Sequence, residues 1–209
     1  MKKVANLLLS ATFLLTTQIS AQNLNSENGG FDENRIINGK KFKVVYNEVV
    51  IDKTVEEVWN EVALNFINID KVMKSVNSTR CLSGDITYGL GTKRLCNLDN
   101  RGKTIEIKEE IIEYKDCGDH REFTYDVYDA PDVPLKNYAT WIVRQGADGK
   151  TYLGSAFIFR ANIGFLTGFI AKQIKKGGIR AGVLGYKHYL ETGAKNVDPE
   201  KLLEMYPEK

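Results

Sequence analysis

The chain has 209 residues, with 29 Lys and Arg against 27 Asp and Glu, two His and three Cys. That length suits one domain with a substantial core. The near-neutral balance gives no basic surface for nucleic acid or an anionic membrane, so neither is expected as a partner.

Residues 1–21 read as a secretory signal peptide. Lys2 and Lys3 form a positive start, Val4–Leu15 is an apolar run, and Ile19-Ser20-Ala21 is a small-residue cleavage pattern. The apolar run is too short for a membrane span, which needs about 20 residues. Cleavage after Ala21 removes Lys2 and Lys3, leaving 27 basic against 27 acidic side chains. The mature protein is expected to be periplasmic or secreted, without stable membrane insertion. Residues 22–40 are polar and Asn/Gly-rich and read as a flexible leader.

The first strand is expected over 41–51, KFKVVYNEVVI. Asp52 or Thr54 then offers an N-cap, with Glu56 and Glu57 in the first helical turn. Val55, Val58, Trp59, Val62 and Ala63 keep helical spacing, and a second short helix is expected over 69–75. CLSGDI and GTKRLCNL flank a turn at YGLG. The strands KTIEIKEEIIEYKD, REFTYDVYDA, LKNYATWIVR and TYLGSAFIFR follow. Ile105, Ile107 and Ile111 share one strand face. A long helix is expected over 163–192, with Phe165, Leu166, Phe169, Ile170 and Ile174 on one stripe and Val183, Leu184 and Leu190 continuing it. Residues 194–209 form a tail with a short helix.

The two glycines of Tyr88-Gly89-Leu90-Gly91 do not make a phosphate loop, because strands flank them and no helix follows. As a hairpin centred there, residues whose numbers sum to 177 pair, so Cys81 falls opposite Cys96. Cross-strand neighbours lie within disulfide reach. In an oxidising compartment a Cys81–Cys96 bridge is therefore expected, leaving Cys117 free; the alternative is a slipped register with three free, buried thiols. Cys117 and His120 make half a metal site at most, so no metal and no cofactor is expected.

Glu109 shares the parity of Ile105, Ile107 and Ile111 and should face inward, with Tyr125 roughly opposite. A carboxylate facing an apolar interior needs a partner, and Arg94, Lys93 or a tyrosine hydroxyl is within sequence reach. It reads as a ligand anchor or acid/base group, or as a buried ion pair or hydrogen bond holding the sheet. If the cysteine face is the outer one, Lys93 and Leu95 replace Arg94 inside. Tyr138, Trp141 and Tyr152 are further candidate wall residues. Lys172, Lys175, Lys176 and Arg180 form a basic cluster on the last helix, read as a solvated face or, alternatively, as a site for an anionic headgroup at a pocket mouth.

Taken in order, VVIDKTVEEVWNEV, GLGTKR, the Glu109 region, FTYDV, the loop APDVP, GADGKTYLGSAF and YLETG resemble the SRPBCC or START-like superfamily, in its polyketide cyclase/dehydrase and lipid-transport branch. The resemblance covers about 41–193. It implies an α+β helix-grip fold, a curved antiparallel sheet wrapped around a long C-terminal helix with two short helices after the first strand. It also implies a cavity for a small hydrophobic molecule such as a lipid, isoprenoid or polyketide-like compound. Glu109, Tyr125 and Arg94 would be its polar contacts. The alternatives are a cyclase/dehydratase-type enzyme using Glu109 as acid/base, or a protein-interaction module. Members of the family often carry an aromatic residue at the position of Gly154, so a glycine there implies a larger pocket.

Overall fold

The computed structural model describes residues 32–100, 102–131, 135–161 and 178–208. In order they form β1 (Asn34–Ile37), β2 (Lys40–Ile51), α1 (Val55–Trp59), a π-helical turn (Asn60–Leu64), a 3-10 segment (Phe66–Lys71), β3 (Val76–Cys81), β4 (Lys93–Asn100), β5 (Lys103–Cys117), β6 (His120–Asp129), β7 (Leu135–Gln145), β8 (Thr151–Ala161), α2 (Gly178–Thr192) and α3 (Pro199–Met205). The strands make one antiparallel sheet in the order β1-β2-β8-β7-β6-β5-β4-β3. This is the expected α+β architecture. The first half of the expected long helix, with its apolar stripe and Lys172, Lys175 and Lys176, lies outside the described residues.

Three local features set the frame. Asn38 and Gly39, with φ of 49° and 70°, turn β1 into β2, the left-handed pair that a two-residue hairpin needs. Residues 34–40 are thus a hairpin, not part of a flexible leader. Thr54 caps α1 through a capping box: its side chain accepts from Glu57 N (3.2 Å) and its own N–H donates to Glu57 (2.9 Å). The helical run 55–71 then turns Val58, Trp59, Val62, Ala63 and Phe66 onto one face of the sheet, all at most 1% exposed.

That inner face is fixed by α2, whose Tyr186 packs edge-on against Trp141 of β7 at 5.1 Å. Register then places Ala139, Phe123, Tyr125, Ile111, Glu109, Ile107, Arg94 and Cys96 on the same side. Bulges beside Lys108 and Ile112 in β5 bend the sheet. Helix α2 approaches the chain before β3 closely: a Cβ on Gly182 would stand 2.9 Å from Met73 Cε, and one on Gly185 would stand 3.4 Å from the Val72 carbonyl.

The outer face is not simply polar. Phe42, Val44, Tyr138, Ala156 and Ile158 form a second buried cluster there with Ile37, and Tyr46 and Ile112 pack against it. Tyr138 therefore packs at a tilt against Phe42 (5.8 Å) instead of lining the interior. Gly154 also faces outward. A Cβ there would strike the ring and hydroxyl of Tyr46, whose hydroxyl donates to Glu48 (2.7 Å) while Arg144 donates twice to the same carboxylate (3.0 and 2.7 Å). The aromatic at this place comes from the neighbouring strand and fills the outer surface, so the larger pocket inferred from Gly154 does not follow.

The β3–β4 hairpin is also shifted. Ser83 Oγ accepts from Lys93 N (2.9 Å) and donates to the Ile86 carbonyl (2.6 Å), and Leu82 N donates to Lys93 O (2.9 Å). These bonds close the ladder early and leave residues after Ser83 as a loop. The register moves by two residues from the expected one, pairing Cys81 with Arg94 and Cys96 with Thr79. The Cys81–Cys96 bridge is accordingly not formed, and all three cysteines are free.

Candidate functional site

Arg94 is the centre of the inner face. It sits opposite Glu109 on β5, and its Nε donates to Glu109 Oε2 at 2.5 Å, with side chains only 2% and 5% exposed. Its Nη1 donates to the Phe66 carbonyl, and its guanidinium lies 3.7 Å above the Phe66 ring and 5.4 Å from Tyr125. The guanidinium thus ties the 3-10 segment to the sheet while neutralising Glu109. Burial is the largest single influence on Arg94 and disfavours its charge, but Glu109 together with Cys96, Tyr125 and Tyr186 outweighs it and holds the arginine protonated. Cys96 Sγ lies 3.6 Å from the same Glu109 oxygen. Burial pushes that thiol up to about 12 even beside Arg94, so it stays protonated and unreactive.

Tyr125 and Tyr186 complete the cluster. Burial raises both hydroxyls well above the ordinary tyrosine range; the Glu109 carboxylate adds to this at Tyr125, and the Arg94 cation opposes it at both. Tyr125 also packs between Phe66 (5.6 Å) and Phe123 (6.5 Å). Toward the other end of the inner face the wall turns apolar, with Val45, Phe157 and Phe159 joined by Leu135 and Ile179 of α2.

Of the residues named from sequence, Glu109, Arg94, Tyr125 and Trp141 converge inside. Arg94 belongs there because the cysteine face is the inner one. Three do not belong. Lys93 points outward, 3.3 Å from Glu110 and over the Tyr128 ring. Tyr138 is in the outer cluster. Tyr152 is outside too, donating to Asp148 (3.0 Å) beneath Arg144 (4.4 Å). Their strands alternate faces, and only the register decides which face is which. Phe66, Tyr186 and Asn137 are inner-face residues that sequence reasoning missed. Tyr186 follows Val183 by three residues, the helical spacing of the apolar stripe. Asn137 shares parity with Trp141. Among the described residues, no group of three or more His, Cys, Asp and Glu side chains is placed to hold a metal. His120, opposite Cys117, instead faces Glu122 at 3.4 Å.

A curved antiparallel sheet gripping a C-terminal helix, with a polar cluster on its inner face, defines a helix-grip protein. The chain belongs to the polyketide cyclase/dehydrase and lipid transport family, whose sequence model matches residues 43–191. Solved structures agree on the fold. The chain is similar to a hypothetical protein of Helicobacter pylori (15% identity, 70% of this chain and 87% of that one, TM-score 0.57). It is also similar to norcoclaurine synthase from Thalictrum flavum (15%, 72% and 87%, 0.56) and to a protein of Nitrosospira multiformis (17%, 72% and 97%, 0.52). No curated protein matches the sequence.

Proposed function

We propose that the protein is an exported carrier that holds one small hydrophobic molecule, of lipid, isoprenoid or polyketide-like character, between the sheet and its C-terminal helix. The observation that carries this reading is Tyr125. It stands on the inner face, packed between Phe66 and Phe123, yet part of its surface remains accessible. The aromatic wall of Phe157 and Phe159 beside it suits an apolar occupant. Export rests on the residue pattern of 1–21, and the mature chain would begin at Gln22. Among the described residues no helix is long and apolar enough to cross a membrane.

A cyclase- or dehydratase-type enzyme would need Glu109 free to exchange a proton. Glu109 is instead held by Arg94 at 2.5 Å, an arrangement suited to a fixed counter-ion, so binding is the reading favoured here. Titration with diphenylhexatriene, which fluoresces in apolar surroundings, tests it. A saturable signal with one site per chain is expected, and the absence of any enhancement would contradict the carrier reading.

A further inference from the structure

Asn137 lies on the inner face of β7, in register with Phe159 of β8 and between Leu135 and Ala139 along its own strand. Its surroundings are therefore apolar. It is 7% exposed, and while its backbone takes part in the sheet its side-chain amide makes no hydrogen bond to any described residue. Asn34 Oδ1, Trp59 Nε1 and Thr92 Oγ1 are unpartnered atoms walled in completely. The Asn137 amide is not among them, so it keeps contact with open space. A carboxamide in an apolar wall destabilises the fold unless something bonds to it. Every other polar group of the inner cluster that carries charge is already committed, since Arg94 and Glu109 neutralise one another.

We infer that Asn137 is the polar anchor of the ligand, and that it selects an uncharged oxygen function, an alcohol, ketone or ester, over a carboxylate. The inference rests on the carrier reading and names its ligand class. A carboxamide offers two donors and one acceptor oxygen but no charge. A hydroxyl or carbonyl satisfies it without a counter-ion. A carboxylate brought to the same place would need a cation. Arg94 is already paired with Glu109, and Lys43, the inner-face cation of β2, stands two strands away and partly exposed, about 10 Å at the usual strand spacing.

Displacement of diphenylhexatriene by dodecanol, 2-dodecanone and laurate at neutral pH tests this on the wild type, Asn137→Leu and Asn137→Ala. The wild type is expected to bind dodecanol and 2-dodecanone at least tenfold more tightly than laurate. Asn137→Leu should weaken both neutral ligands roughly tenfold, about one lost hydrogen bond, with diphenylhexatriene affinity kept within about twofold. Its melting temperature should not fall, because an unpartnered polar group leaves an apolar wall. If the leucine variant does not fold, the alanine variant gives the same comparison. A preference of the wild type for laurate overturns the inference. So does unchanged discrimination in both variants, the result if Asn137 only bonds an internal water. If the wild type does not take up diphenylhexatriene at all, the carrier reading itself falls, a failure distinct from the other two.

Discussion

Arg94 and Glu109 illustrate how a buried ion pair constrains a fold. Each alone would be an uncompensated charge in the interior, so removing one partner is far more harmful than replacing both. Glu109→Gln leaves Arg94 with only the Phe66 carbonyl and the aromatic faces. A loss of about 3–5 kcal/mol is expected, seen as a fall of roughly 10 °C in melting temperature. The double substitution Arg94→Met with Glu109→Leu should recover most of it. Equal melting of the single variant and wild type would show that the pair is not structural. The buried tyrosines set an alkaline limit. Tyr125 and Tyr186 titrate well above the ordinary value of about 10 because burial disfavours the phenolate. Their contribution is fully present below pH 10 and is lost as pH rises from there toward the folded values, because the unfolded chain releases its protons first. Melting curves between pH 8 and 11.5 should fall steeply above 10, and less steeply in Tyr186→Phe. The cysteines give a third check. Three thiols should react under denaturing, non-reducing conditions. In the native state Cys117, which is exposed, should alkylate quickly, and Cys96, raised to about 12 and buried, should not.

At the scale of elements, what the sequence made legible depended on whether a signal was local. The N-cap offered by Asp52 or Thr54 and the helical spacing of Val58, Trp59 and Val62 are contained in a few residues; the cap falls on Thr54, and α1 begins where they put it and runs on as a π-helical turn from Asn60. The turn Asn38-Gly39 is an equally local hairpin signal between Arg35-Ile36-Ile37 and Phe42, but a polar composition masked it. The β3–β4 register was not legible. It is set by the Ser83 hydroxyl bonding across the loop to Lys93 N, a contact that hydrophobic alternation does not encode. A shift of two residues preserves which face each side chain occupies, so the inward placement of Glu109 survived while the cysteine pairing did not. Faces after residue 135 were illegible for another reason: β7 and β8 bury side chains on both faces, so alternation vanishes. Helix α2 offers a test at this scale. A Cβ on Gly185 makes ordinary contacts with Val72 at 3.4 Å, whereas one on Gly182 comes within 2.9 Å of the flexible end of Met73, which must move aside. Gly185→Ala should therefore keep more of the roughly 1 kcal/mol gained in helix propensity. Thermal melts of the two variants should rank Gly185→Ala above Gly182→Ala; the reverse order would mean that Met73 moves aside at no cost.

The molecule as a whole combines a sheet with two buried faces and an interior that is polar at one end and apolar at the other. The outer cluster around Phe42, Tyr138 and Ile158 stiffens the sheet independently of the helices. The Arg94 network joins sheet to helical segment. On the carrier reading proposed above, the inner wall around Asn137 and Phe157 is where an occupant would lie. Native mass spectrometry of the protein purified from the envelope fraction of its producing cells tests the central claim most directly. The account predicts a chain beginning at Gln22 with one non-covalent molecule of a few hundred daltons, released on denaturation and carrying an alcohol, ketone or ester group. A protein that is wholly ligand-free, and that stays so when offered dodecanol, would contradict it.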